Sequence, residues 1–268
     1  MMGSIALRVS LTTHINRRAS PTAIMTQRAD EVWKNAALVR TFVDGVRGGI
    51  PFAAEQIEIM LRLIDARAAA VDRVADLGCG SGVLARSIRA RYPQARCTLV
   101  DFSEPMLAEA RVSFGDDPRV HFVSADLGRP DWTGGVRADA PFDVVVSGYA
   151  IHHLPDQRKR DLYGEIFSLL APGGVFLNVE HVASHTPWIE TIADDLMIDS
   201  LHAFHARQGT PKDRVQVADE FVHRPDKAAN ILAPVEIQCE WLRACGFDDV
   251  DCYFKVFELA VFGGRRPA

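Results

Sequence analysis

No two of the five cysteines (Cys79, Cys97, Cys239, Cys245, Cys252) form a Cys-x-x-Cys pair. The odd count and wide spacing argue against a disulfide framework and a structural zinc site, and favour a reducing compartment. No run of 18 apolar residues occurs anywhere, so a membrane-spanning helix is not expected. Acidic residues are missing from positions 1–29, which hold four of the 30 basic ones (Arg8, Arg17, Arg18, Arg28). The rest of the chain is therefore more acidic than the overall net charge of −5. An acidic body repels phosphate backbones, which argues against nucleic acid as partner or substrate. The Ser/Thr/Arg-rich segment 1–29 has the composition of an organellar transit segment. A disordered extension, or a true start at Met25, accounts for the same residues. A disordered tail on a cytoplasmic protein is the expectation.

Glycine is plentiful in one place, Asp76-Leu-Gly-Cys-Gly-Ser-Gly82. The stretch closes a short apolar strand (Arg73–Asp76) and opens a helix at Val83. Alternate glycines let the backbone turn sharply and let a ligand lie against it. The helix start then aims free N–H groups at that ligand. Two features argue against a dinucleotide and leave a dehydrogenase a distant third reading: Val83 stands where the third fingerprint glycine belongs, and Asp76 would repel a pyrophosphate. A carboxylate beside such a loop suits a ligand bearing both an ammonium and a carboxylate, and S-adenosylmethionine is one.

Further strands follow in order: Arg96–Asp101, Val120–Ala125, Phe142–Ser147 and Val175–Glu180. Each ends in polar or small residues: Asp101-Phe102, Asp126-Leu127, Ser147-Gly148-Tyr149 and Glu180-His181. Strand–helix alternation implies a doubly wound parallel sheet with ligands at the strands' C-terminal edge. From about Asp72 to Glu180 the series resembles the class I S-adenosylmethionine-dependent methyltransferases. The resemblance implies an α/β fold with a mostly parallel seven-stranded, Rossmann-like sheet closed by an antiparallel hairpin (Val250–Phe254, Val256–Phe262). It places cofactor contacts at Asp76, Gly78, Cys79, Gly80, Ser81, Asp101, Phe102, Met106, Asp126, Leu127, Ser147 and Gly148. Asp101 would take the ribose hydroxyls, Phe102 and Met106 would face adenine, and Asp126 would accept its amino group. Cys79 supplies small size rather than a nucleophile. A homodimer is an open alternative, since relatives often dimerise.

Residues 30–70 read as a helical cap, in two segments around Asp30–Val46 and Glu55–Ala66, and residues 71–268 as the catalytic domain. Between strand five and the helix Val235–Ala244 lies an insertion, 181–234. It is far longer than ordinary connections and reads as helices Pro187–Arg207 and Pro211–His223. It follows a strand's C-terminal end, so with the cap it should overhang the cofactor and shape a pocket for a small-molecule acceptor. Methyl transfer requires alignment and exclusion of water, and a base only where the acceptor loses a proton. Candidates for that base are Tyr149, His152, His153, Glu180 and His181. Asp195, Asp199 and His202 share a helical face at a metal-compatible spacing, yet a solvated polar face explains them, and no metal is expected. Trp188 and His205 are either pocket or packing residues.

A second resemblance is to carboxy-S-adenosylmethionine synthase and its relatives, through Val39–Ile59 (Phe42, Asp44, Ile50-Pro51), Trp241–Phe247 and Phe254–Phe257. The chain departs from that pattern at Cys79-Gly80, where those enzymes have Cys-Ser. It departs again at Ala206, roughly where they carry an arginine for the extra carboxylate, with Arg207 one residue over. Ordinary S-adenosylmethionine is therefore expected. Ser147-Gly-Tyr149 also lacks the Asn/Asp-Pro-Pro-aromatic pattern of enzymes that methylate nucleobase and glutamine amines. A non-catalytic cofactor-binding protein is the alternative from another class.

Overall fold

The computed structural model describes residues 28–44, 46–67 and 70–268. The expected disordered tail lies outside the described residues up to position 27. Among the described residues, β1 (Arg73–Leu77), β2 (Arg96–Asp101), β3 (Val120–Ser124), β4 (Phe142–Gly148), β5 (Leu170–His181), β6 (Asp248–Val256) and β7 (Leu259–Arg265) form one seven-stranded sheet. Its order is β3-β2-β1-β4-β5-β7-β6. The first five strands pair in parallel, and β7 inserts antiparallel between β5 and β6.

Strand residues alternate between two apolar layers, which explains why β1, β4 and β5 read as nearly continuous hydrophobic runs. Val74, Val144, Val146, Leu177 and Val261 face helices α2 (Ala53–Asp65), α3 (Val83–Arg91) and α4 (Glu104–Phe114) through Met60, Ile64, Ile88 and Leu107. Ala75, Leu77, Val145, Phe176 and Phe262 face α5 (Asp156–Leu169) and α8 (Val235–Ala244) through Leu162, Tyr163, Ile166 and Leu242. Both faces of the sheet are thus covered, and function is left to the strand ends.

Several boundaries depart from the sequence reading, each for a local reason. The first cap segment divides into a 3-10 turn (Ala29–Lys34) and α1 (Ala36–Asp44). The division falls at Asn35, whose side-chain oxygen accepts the N–H groups of Ala37 (2.9 Å) and Leu38 (3.3 Å) and so starts a new helix. β5 begins at Leu170 rather than Val175, because Leu170 already pairs with Phe142 before a register shift. The last strand starts at Leu259 rather than Val256. Phe257, at φ +50°, belongs to the turn instead.

The insertion supplies α6 (Pro187–Arg207) and α7 (Arg214–Val222). Asp213 caps α7 by accepting the Val215 N–H at 2.7 Å, so that helix begins later than expected. Ile198, Leu201, Val217 and Phe221 give the pair its own small core. Arg214 binds both Asp195 (3.1 Å) and Asp199 (2.6 Å), which accounts for that acidic face. The cap meets α6 at Gly48 and Gly49, where an added Cβ would lie 2.4 Å from Phe204 and 2.5 Å from Leu201. A side chain at either position would have to push Phe204 or Leu201 aside, so the glycines let cap and insertion close over the same end of the sheet. Among the described residues no helix is long and apolar enough to cross a membrane. All five cysteines are free thiols.

Candidate active site

β1 neighbours both β2 and β4, so the chain's connections diverge there and a crevice opens at the strands' C-terminal ends. The glycine loop lies in that crevice, with Gly78, Gly80 and Gly82 at φ +66°, +52° and +78°. The N–H groups of Gly78 and Cys79 both donate to the Val100 carbonyl, at 2.8 and 3.0 Å, which ties the loop to β2. A Cβ on Gly78 would fall 2.2 Å from the Ala150 Cβ, whereas one on Gly80 would meet only the Met106 sulfur at 3.8 Å. Gly78 thus lets two loops touch, and Gly80 presents bare backbone to open space.

Asp101 ends β2. Its Oδ2 accepts the Gly80 N–H (2.9 Å) and its Oδ1 that of Ser103 (2.8 Å). Burial pushes this carboxyl up to about 6, against the pull of backbone N–H groups from Ser103, Gly80 and Phe102. Gly78, Gly80, Asp101, Phe102, Met106, Asp126, Leu127 and Gly148 line one cleft with about 690 Å³ of empty space, its mouth included. Asp76, Cys79, Ser81 and Ser147 do not line it. Asp76 is buried beneath the loop, where its Oδ2 accepts the Ala85 N–H at 3.0 Å and anchors the start of α3. Ser147 donates to the Leu77 carbonyl at 2.7 Å and ties β4 to β1.

Arg47 of the cap and Arg28 just before it also line the cleft. Arg47 reaches toward Asp76 and Tyr149; burial lowers its pKa, and their charges partly offset this. Asp76 itself is pushed up to about 7 by burial, despite the Ala85 N–H and the Arg47 charge. At the other end Arg28 donates to both Asp30 oxygens (3.0 and 2.8 Å) and to Asp126 Oδ1 (2.9 Å). Its guanidinium lies 5.9 Å from the centre of the Phe102 ring. An adenine amino group at Asp126 would therefore share that oxygen with Arg28 or displace it.

Trp33, Phe42 and Tyr149 belong both to this cleft and to an adjoining inner chamber with about 760 Å³ of empty space, its opening included. Tyr149, at φ +54°, donates its hydroxyl to Gln56 Oε1 at 2.7 Å. The inner chamber brings His152, His153 and His181 together with Tyr149. His153 accepts the Trp33 indole N–H at Nε2 (3.1 Å), so its proton sits on Nδ1, facing the Ala229 carbonyl (3.1 Å). Burial pushes that ring down to about 3, and its lone pair is already engaged. His152 differs: its Nδ1 lies 2.6 Å from Glu180 Oε1, and Asn230 hydrogen-bonds the ring. Burial holds His152 well below its ordinary pKa. Glu180, wholly buried at the end of β5, also accepts the N–H groups of His152 (3.1 Å) and His181 (2.9 Å). Burial nonetheless pushes it up to about 7. His181 pairs through Nε2 with Glu258 at 2.9 Å.

Such a site offers a strip of bare backbone, an acceptor for vicinal hydroxyls, a cation among the loops and an aromatic face. Among the described residues no side chain or carbonyl hydrogen-bonds Arg47. Those parts fit a nucleoside carrying an amino acid tail: Asp101 for the ribose, Phe102 and Met106 for the base, and Arg47 for the tail's carboxylate. Sequence reasoning missed Arg28, Trp33, Arg47, Gln56, Asn230 and Glu258, all distant in sequence from the strand-tip motifs. The only local signal was Gly48-Gly49 directly after Arg47. Trp188 is exposed and lines none of these cavities, whereas His205 borders a third cavity farther out.

Residues 74–174 match a family model described as a methyltransferase domain. The carboxy-S-adenosyl-L-methionine synthase of Nitratiruptor sp. is 25% identical over 224 residues, covering 82% of this chain and 87% of that protein. The trans-aconitate 2-methyltransferase of Variovorax paradoxus is 30% identical over 191 residues, covering 65% and 68%. Among solved structures, the S-adenosylmethionine-dependent methyltransferase SibL superposes with a TM-score of 0.55 at 20% identity, over 81% of this chain and 56% of that one. The chain thus spans little more than half of that solved structure, and the likeness is one of fold. With the glycine loop, the acid ending β2 and the sheet order in place, the chain belongs to the class I S-adenosylmethionine-dependent methyltransferases.

Proposed function

We propose that the chain transfers a methyl group from S-adenosylmethionine to a hydroxyl of a small-molecule acceptor, with His152 and Glu180 taking up the hydroxyl proton. Bound in the cleft, the cofactor supplies an electrophilic methyl group on a sulfonium. The observation that carries the reading is the His152–Glu180 contact of 2.6 Å on the wall of the inner chamber. That chamber meets the cofactor cleft at Trp33, Phe42 and Tyr149. His152, kept neutral by burial, has a basic nitrogen to offer once the acceptor hydroxyl displaces Asn230 from it, while the Glu180 carboxylate fixes the ring and offsets the charge it gains. His153 serves as a wall residue locked by Trp33. Tyr149 orients by contact, since its hydroxyl is held by Gln56. The cap and insertion exclude water from the junction. The free thiols support a reducing, cytoplasmic setting.

Glu180→Gln tests this directly. It preserves shape but removes the charge, and its amide N–H₂ must face a donor. Losing a charge-assisted partner of the developing imidazolium should lower kcat roughly 10- to 150-fold, from about 1.5–3 kcal/mol. The affinity for S-adenosylhomocysteine should stay unchanged. In the wild type, activity should rise with pH through about 7 and then level, because Glu180 must be ionised. An acceptor screen reading homocysteine release supplies the assay. Equal loss of cofactor affinity and turnover would refute the role.

The carboxy-S-adenosylmethionine synthase reading is weaker. Ala206 and Arg207, at the end of α6, are solvent-exposed and line none of the three cavities. Neither position supplies a cation for an extra carboxylate.

A further inference from the structure

Beyond the inner chamber lies an outer one of about 1780 Å³, mouth included, more than twice the empty space of its neighbour at about 760 Å³. Its walls come from the cap helix α1 (Leu38, Phe42) and from the insertion helices α6 (Leu201, Phe204) and α7 (Val217, Phe221). Trp33, Phe42 and Phe221 line both chambers and form an aromatic collar between them. One charged pair borders the passage. Arg224 Nε sits 3.3 Å from Asp226, and its guanidinium lies 4.6 Å from the Phe221 ring centre. Asp226 thus offsets its charge, although among the described residues Arg224 Nε itself makes no hydrogen bond. The outer mouth is polar, with Lys212 donating to Glu220 at 2.6 Å.

A hydroxyl-bearing head placed in the histidine-lined inner chamber would leave this second, larger volume, walled largely by apolar side chains, beyond it. Burying apolar surface there favours a ligand with a hydrocarbon portion over one that is polar throughout. Resting on the methyl-transfer reading above, we propose that the acceptor is an amphiphile. Its hydroxyl-bearing head occupies the inner chamber, and its hydrocarbon tail passes the Trp33–Phe42–Phe221 collar into the channel between α1 and α6–α7.

The test uses 4-alkylphenols of increasing chain length, ethyl to octyl, titrated calorimetrically into the chain saturated with S-adenosylhomocysteine. Each added methylene that enters the channel should tighten binding roughly fourfold. Thr41→Trp, at an exposed α1 position bordering the outer chamber, should block the channel. It should flatten that dependence for the longer chains and leave ethylphenol and S-adenosylhomocysteine binding as in the wild type. His205→Trp, across the same chamber, should do likewise. Affinity independent of chain length overturns the proposal. So does a chain-length dependence that both tryptophans leave untouched, or failure of every phenol to bind while the nucleoside binds. Loss of nucleoside binding by the wild type would instead sink the methyltransferase reading, so the two failures are distinguishable.

Discussion

Asp101 ties the chain's electrostatics to its ligand most closely, and its titration gives a quantitative prediction. Its carboxyl is buried among Gly80, Phe102 and Ser103 and pushed from an ordinary 3.8 up to about 6. Two ribose hydroxyls donate best to the ionised form, so binding must lower that pKa and release a proton. The sign follows: affinity falls as pH drops below about 6 and levels above it. At pH 5 only about one site in ten is ionised, so S-adenosylhomocysteine should bind about tenfold more weakly than at pH 7.5. Calorimetry in two buffers of different ionisation enthalpy counts the released proton directly. Asp101→Asn should remove the step centred near 6. It should also cost about 2–3 kcal/mol of affinity, roughly 30- to 150-fold, because the hydroxyls lose a charged acceptor. The amide would in addition face a backbone N–H of Gly80 or Ser103. A flat affinity from pH 5 to 8, or a variant that keeps both step and affinity, would refute the assignment of Asp101 to the ribose.

Arg47→Met should weaken S-adenosylhomocysteine about 10- to 100-fold through loss of a charge-assisted contact to its carboxylate. Adenosine, which has no carboxylate, should bind as before, and equal losses for both ligands would contradict the placement. Gly78→Ala adds a Cβ 2.2 Å from that of Ala150 at φ +66° and should lower unfolding free energy in urea by at least about 2 kcal/mol. Gly209→Ala, also at positive φ (+73°) but with nothing within 4 Å of an added Cβ, should cost only about 1 kcal/mol. If the two variants prove equally stable, the close contact at Gly78 is not real.

How legible the molecule was depended on how local the physics is. Strand tips advertised themselves: Asp101, Phe102, Asp126, Gly78 and Gly80 each follow an apolar run, and all line the cleft. Helices α6 and α8 were readable to the residue, since Thr186 and Pro187 start one and Pro234 and Gly246 bracket the other. Asp76 shows the limit of motif reading. Its sequence position suggests a ligand contact, but burial and the Ala85 N–H turn it inward to hold α3. Arg28, Trp33 and Arg47 were not legible because their roles arise only when the cap folds onto strand tips far along the chain. The three histidines stand in one cavity, yet only contacts separate His153, held between Trp33 and Ala229, from His152, backed by Glu180.

The most direct measurement is a crystal structure of the chain with S-adenosylhomocysteine. The ribose should lie on the Asp101 carboxylate, the base against Phe102, and the sulfur toward the Trp33–Phe42–Tyr149 junction. A nucleoside seated elsewhere, or a sulfur turned away from the histidine-lined chamber, would contradict the account.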